Sequence, residues 1–165
     1  MDLTFHTDDG CYNVRVAALL LRDDHLLVMR DAPDSHDYLP GGRVRLHEPM
    51  EHALLRELRE ELQIDARILR PLWLNQCFFH LKPSGERVHE QCLYFLAECS
   101  DDALTHGPDA FARADSDGYV HFFRWLPFDE LPAAPLYPLF LARRIRSLPD
   151  HLELILEDQD GIFGL

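Results

Sequence analysis

Apolar positions along the chain fall into runs of two kinds, and the difference predicts the elements. Residues 13–21 and 26–30 are aliphatic and β-branched arms around the polar segment Arg22-Asp23-Asp24-His25, which predicts a β-hairpin. Residues 68–80 and 90–98 predict two further strands joined by a turn at 82–86, and residues 119–126 predict another. Residues 48–62 have helical spacing instead: at 100° per residue Leu54, Leu55, Leu58 and Leu62 share one face. Pro49 suits the first helical position and makes Glu48 the expected N-cap. Pro127 opens a short stretch to Leu131. A second helix is expected over 136–147, with Leu139, Phe140 and Ile145 on its buried face, and the tail from Asp150 has a helical pattern that frays. Residues 31–42, with Pro33, Pro40, Gly41 and Gly42, and the acidic stretch 100–118 are expected to be loops. Strands and helices mix without regular βα alternation, so the expected fold class is α+β.

Length and composition narrow this further. A chain of 165 residues with 47% hydrophobic content is expected to form a single domain, 1–165, with a real core. No apolar run is long enough to span a bilayer, and the first residues lack the basic-then-apolar order of a secretory signal. Cys11, Cys77, Cys92 and Cys99 form no CxxC pair; Cys92 and Cys99, in or beside an apolar run, read as core or near-core thiols, and a reducing, cytoplasmic setting is expected. The net charge of −13 argues against a nucleic-acid backbone as partner. A small anionic substrate remains compatible, because a bound cation inverts the local potential.

The candidate chemistry lies on the first helix. Glu57, Glu60 and Glu61 fall on one face beside the leucines, directly after the Leu39-Pro40-Gly41-Gly42 segment. Glu57 faces Glu60 and Glu61 at i+3 and i+4, and each such like-charge pair costs a few tenths of a kcal/mol. Arg56 recovers part of this by reaching Glu60. A solvated acidic face is the plain alternative, as a tight turn is for the glycines. Hard oxygen ligands at this spacing suit Mg²⁺ or Mn²⁺, which keep several waters and add phosphate oxygens.

Gly42, Glu48, the run Arg56-Glu57-Leu58-Arg59-Glu60-Glu61 and Ile64, at these spacings, resemble the Nudix box, G-x5-E-x7-R-E-U-x-E-E-x-G-U with U aliphatic. Every fixed position matches except the late glycine, where this chain has Gln63. That glycine would close the helix in a left-handed conformation, so the departure concerns backbone shape and not a ligand. The preceding hairpin, Leu39-Pro40-Gly41-Gly42, Phe123-Arg124-Trp125-Leu126-Pro127 and Asp129-Glu130-Leu131 extend the resemblance over roughly 13–147. It implies a Nudix-type α/β/α sandwich around a mixed, partly antiparallel sheet. It also implies Mg²⁺- or Mn²⁺-dependent hydrolysis of a nucleoside diphosphate linked to another group. The resemblance makes Glu57 and Glu61 the main metal ligands, and Glu60 a further ligand or the residue that polarises the attacking water. Arg56 orients the carboxylates, the Gly42 backbone lies open to metal or phosphate, and Gly41 and Glu48 are structural.

The general base outside the box is not fixed by the motif. Glu90, Glu98, Asp109, Asp115 and Asp117 are candidates, with Glu90 preferred. Arg43 and Arg45 are candidates to meet phosphate, and Tyr38, Trp73, Phe78 and Phe79 to stack on a base. His47 and His52 lack zinc-protease spacing, and Asp115-Ser116-Asp117-Gly118 departs from a calcium loop at its glycine and its twelfth position. A nucleoside triphosphate or a nucleotide sugar is the expected substrate, and a homodimer is compatible with the fold. A non-catalytic nucleotide-binding regulator on the same fold and an acidic interaction domain are the alternatives.

Overall fold

The computed structural model describes residues 1–32, 35–82, 84–115 and 117–161. Pro33 of the expected loop, Pro83 of the expected turn, Ser116 and the last four residues lie outside the described residues. The strands are β1 (Thr4–Thr7), β2 (Gly10–Arg22), β3 (His25–Asp31), β4 (Gly41–Arg43), β5 (Ala66–His80), β6 (Arg87–Cys99), β7 (Ala110–Ala114), β8 (Val120–Pro127) and β9 (Glu153–Asp158). Helix α1 (Met50–Glu57) runs on into a π-helical turn, Leu58–Leu62; α2 (Asp102–Thr105) and α3 (Leu141–Arg144) are short.

The sheet order is β7-β8-β3-β2-β6-β5-β9, with β1 and β4 also paired to β2. β2 runs parallel to β6 and β5 parallel to β9; the other pairings are antiparallel, so the sheet is mixed as expected. β2 and β3 share only Leu21↔Leu26 and Arg22↔His25. β4 pairs with β2 further back, at Arg15, Val16 and Ala17.

Side chains of a strand alternate between faces, and β2 is buried on both. Val14, Val16, Ala18 and Leu20 join Leu27, Met29, Phe123 and Trp125 under the helix leucines Leu54, Leu58 and Leu62. Ala17 and Leu19 join Leu26, Val28, Leu72, Trp73 and Tyr94 under Leu131, Phe140, Leu141 and Ile145. This is the expected helix–sheet–helix layering. Leu54, Leu58 and Leu62 are fully buried, each stabilising the fold by roughly 1.5–3 kcal/mol.

The loop expected at 31–42 gives up Gly41 and Gly42 to β4, and three further expectations give way to the structure. The loop expected at 100–118 contains α2 and β7, and β7 pairs in register with β8 from Ala110↔Arg124 to Ala114↔Val120. The helix expected over 136–147 shrinks to Leu141–Arg144, because Pro138 disfavours helical backbone at Tyr137 before it; Phe140 and Ile145 are buried, but Leu139 is exposed. The tail forms β9 and no helix, because β5 offers it an unpaired edge from Trp73 to Phe78.

Candidate active site

The helix with the carboxylates starts differently from expectation. Pro49, with extended backbone at φ −61°, holds the cap position, and no side chain caps the first turn. Glu48 is therefore not the N-cap. Its carboxylate accepts the Arg45 N–H at 2.9 Å and grips Arg56 from both oxygens, at 2.8 and 2.9 Å. Arg56 also donates to Glu57 at 2.7 Å, to Glu60 at 3.1 Å and to the Arg43 carbonyl at 3.0 Å. One guanidinium thus ties the loop, α1 and β4 together. The hydrogen bonds from Arg56 hold the Glu48 carboxyl down at about 2, and those to Glu48 raise Arg56 above its ordinary value.

The two glycines of β4 form the floor. A Cβ on Gly42 would stand 2.3 Å from the Glu57 carboxyl carbon and 2.4 and 2.6 Å from its oxygens, so the absent side chain leaves the space that this carboxylate fills. Gly41 has φ +147°, and a Cβ there would meet the Val16 carbonyl at 2.2 Å. Its N–H donates to Glu61 at 3.1 Å. Glu57 and Glu61 thereby rest on adjacent residues of one strand. Burial pushes the Glu61 carboxyl up to about 8, and the charge of Glu57 adds to the shift; the Gly41 N–H and Arg15 pull it back only in part. Glu60 lies further out, 3.7 Å from Arg45.

Within the helix, the turn that carries Glu60 and Glu61 is π-helical and closes at Gln63 in a left-handed conformation, φ 56° and ψ 38°. Glutamine occupies the geometry in which the motif places glycine. Its side-chain amide donates to the Ala114 carbonyl of β7 at 2.9 Å, which fastens the strained end to a neighbouring strand.

Of the other sequence candidates, Glu90 accepts from Asn13 at 2.9 Å and lies 3.9 Å from Arg15. Arg15 is raised: burial works against its charge, but Glu90 and other groups, Glu61 among them, outweigh it. The charge of Arg15 is thus favoured by both the Glu90 and the Glu61 carboxylates. Tyr38 donates to Asp31, and burial together with that contact raises its hydroxyl well above the usual range. Asp31 also meets His121 at 2.7 Å and contributes to the field at Glu61. The expected candidate list does not contain Asp31 and His121, and no local spacing joins residues 90 positions apart.

Of the remaining candidates, Asp115 lies 3.6 Å from His121 and borders this cluster, whereas Asp109, Glu98, Trp73 and Phe78 are engaged elsewhere. Asp109 pairs with Arg22, which lies over the Trp125 ring, and Glu98 pairs with Arg67. Asp115 accepts the N–H groups of Asp117 and Tyr119 within its own turn. Arg43 is exposed and bonds to Arg56 through its carbonyl. Trp73 is core, and Phe78 lies against His89.

The all-oxygen donor set fits a hard divalent cation. Glu61, held protonated near neutral pH beside the Glu57 charge, lacks a positive neighbour strong enough to ionise it. A divalent cation between them would supply that charge.

Mixed sheet, leucine-packed helix and carboxylates on a glycine floor are the arrangement that the resemblance to the Nudix box leads one to expect. The NUDIX domain family model matches residues 12–147, and the chain belongs to that family: it is a Nudix pyrophosphohydrolase. No curated protein sequence matches it. Among solved structures, a Nudix hydrolase from Nitrosomonas europaea superposes with a TM-score of 0.60 at 14% identity, covering 93% of this chain and 82% of the other. An ADP-ribose pyrophosphatase from Streptococcus suis 89-1591 gives 0.58 at 17% identity, with 87% and 98% covered. The MutT protein from Bacillus halodurans gives 0.56 at 13% identity, with 86% of each covered. At these identities the likeness is one of fold.

Proposed function

We propose that the protein hydrolyses a diphosphate linkage in a nucleoside diphosphate linked to another group, a nucleoside triphosphate or a nucleotide sugar, using Mg²⁺ or Mn²⁺. Glu57 and Glu61 would be the principal ligands, with Glu60 as a further ligand or the group that orients the attacking water. Gly42 would contribute through its backbone. The bound cation supplies Lewis-acid stabilisation of charge on phosphate oxygens and acidifies a bound water. Arg56 holds Glu57 and Glu60 in place while Glu48 fixes Arg56 in turn. Arg45 and Arg43 border the site as candidate phosphate contacts. Tyr38, anchored through Asp31, is the candidate to meet the remainder of the substrate. Glu90, neighboured by Arg15 and Asn13, stays the preferred candidate base. The four free cysteines support a reducing, cytoplasmic setting, and no helix among the described residues is long and apolar enough to cross a membrane.

The observation that carries this reading is the placement of Glu57 and Glu61 against Gly42 and Gly41, with the Glu61 carboxyl raised to about 8. The test is phosphate release from a nucleotide panel with Mg²⁺, followed for wild type, Glu57→Gln and Glu61→Gln. Each variant should keep its melting temperature within a few degrees and lose roughly a hundredfold to a thousandfold in turnover, the scale of removing one electrostatic group from a site. Unchanged turnover in both variants would overturn the assignment, and an inactive wild type on the whole panel would favour the regulator.

A further inference from the structure

A second group of ligand-type side chains lies at the other end of β2. His6 on β1 is directly opposite Cys11 on β2 in the antiparallel register, and Glu86 immediately precedes β6, whose Val88 is the parallel partner of Cys11. The Nδ1 or Nε2 of His6, the Sγ of Cys11 and a Glu86 carboxylate oxygen all lie within 4.8 Å of one another, the one such His/Cys/acid group among the described residues. Cys11 and Val16, the β2 partner of Gly42, are five residues apart on the strand. At about 3.3 Å per residue that is about 17 Å, too far for the two centres to share an ion.

The backbone holds these three residues in place. Thr7 Oγ1 accepts the Asp9 N–H at 3.2 Å and donates to the Gly10 carbonyl at 3.0 Å, fixing the turn between β1 and β2. Gly10 adopts φ +137°, and a Cβ there would stand 2.3 Å from the Arg87 carbonyl, so the start of β6 packs directly on the start of β2. On the other side Leu81 donates to the Glu86 carbonyl at 2.9 Å, closing the β5–β6 turn. Three donors therefore project from three strand ends whose relative positions are set by main-chain contacts.

We propose that His6, Cys11 and Glu86 form a binding site for Zn²⁺ or a similar borderline metal, with a fourth position open to water. Thiolate and imidazole select such an ion over the hard cation suited to the glutamates of α1. Tetrahedral geometry with ordinary zinc bond lengths puts donor atoms about 3.3–3.8 Å apart, so closure around the ion needs shifts of only about 1 Å. The 2.8 Å contact between His6 and Glu86 opens as the ion enters between them. Burial is graded for entry from solvent: Cys11 is 7% exposed, and the Glu86 and His6 side chains 29% and 64%. Loss of the thiol proton accompanies binding, so the ion binds the thiolate. His6 and Cys11 both precede the segment 12–147 that matches the family, so two of the three donors lie outside the matched segment, in the N-terminal hairpin. Bound metal would fasten that hairpin to the β5–β6 turn.

The experiment is a Co²⁺ titration of the full chain, reduced with a phosphine and held in excess Mg²⁺ to saturate the hard-oxygen centre. The absorption spectrum is followed throughout. One equivalent of Co²⁺ should give a near-ultraviolet thiolate-to-cobalt charge-transfer band with tetrahedral visible bands, both displaced by Zn²⁺. Cys11→Ser should abolish the charge-transfer band. His6→Ala, at an exposed position that the fold does not need, should weaken Co²⁺ binding at least about tenfold. Glu57→Gln should leave the band unchanged. Absence of the band in wild type, or its persistence at full strength in Cys11→Ser, would overturn the proposal.

Discussion

Gly41 and Gly42 are adjacent, both belong to β4, and replacement of each by alanine should fail for a different reason. In Gly42→Ala the new Cβ would meet the end of the Glu57 side chain, 2.3 Å from its carboxyl carbon, and no backbone atom is its nearest neighbour. A glutamate side chain can rotate away, so the fold survives. The direct loss is the 2.7 Å charged hydrogen bond from Arg56, and Arg56 keeps both contacts to Glu48. That puts the destabilisation at about 1–2 kcal/mol, or a melting temperature lower by a few degrees for a chain of this size. The carboxylate, however, leaves the place where it faces Glu61. A displacement of about 1 Å in a catalytic group costs on the order of a hundredfold in rate. In Gly41→Ala the Cβ would lie 2.2 Å from the Val16 carbonyl and 2.8 Å from the Ala17 Cα, at φ +147°. Nothing there can rotate away. Overpacking and backbone strain, each about 1–3 kcal/mol, act together, and a cost of about 2–6 kcal/mol is expected. Denaturant unfolding gives the two stabilities, and Mn²⁺ binding by calorimetry with nucleotide turnover gives the two functional readouts. Gly42→Ala should unfold almost as wild type does while losing metal affinity and turnover; Gly41→Ala should lose stability first. Wild-type Mn²⁺ affinity and turnover in Gly42→Ala, or Gly41→Ala as stable as wild type, would refute the reasoning.

Further outcomes follow from the same contacts. Glu48 is held at about 2 against an unfolded value of 4.5, so its contribution is complete above pH 4.5 and is lost as pH falls through 2. Glu48→Gln should therefore melt below wild type at pH 7, and thermal melts across pH should bring the two curves together in strong acid. Glu61 is shifted the other way, to about 8, so the metal-free native state retains a proton between pH 4.5 and 8 that the unfolded chain releases. The apo protein loses this contribution as pH rises through that window, while Mn²⁺ must displace the proton; affinity should climb by up to about tenfold per pH unit and level off above 8, with proton release visible as buffer-dependent binding heat. At Gln63, glycine would relieve a left-handed residue worth about 1–2 kcal/mol but forfeit a hydrogen bond worth about 1 kcal/mol, so Gln63→Gly should be close to neutral. Gln63→Ala keeps the strain and loses the bond, and should fall below wild type by about 1 kcal/mol in denaturant unfolding.

How much of this could be seen in the sequence depended on how local its cause was. The leucines of α1 and the β2–β3 hairpin declare themselves through periodicity within a dozen residues, and the spacing of Glu57, Glu60 and Glu61 is a local fact as well. β4 was hidden because Gly41-Gly42-Arg43 has turn composition. It is a strand only because β2 parts from β3 and leaves Arg15, Val16 and Ala17 free to pair. β7 and β9 were hidden for the same reason: each is short, and each is an edge that only an existing partner, β8 or β5, can turn into a strand.

The site divides along the same line, and this bears on why the motif tolerates Gln63. Residue identities at the spaced positions supply the donors, but the properties that suit them to a cation come from contacts across the fold. Glu61 is raised by burial beside Glu57 and met by the Gly41 N–H twenty residues away. The same holds for the helix end. A glycine at position 63 would reach the left-handed conformation from local freedom alone. Glutamine reaches it with a hydrogen bond to Ala114, which exists only because β7 lies beside the π turn. A local rule broken at one position is thus compensated by a long-range contact. The turn that carries Glu60 and Glu61 keeps its shape, and so does the geometry that Glu61 presents to β4.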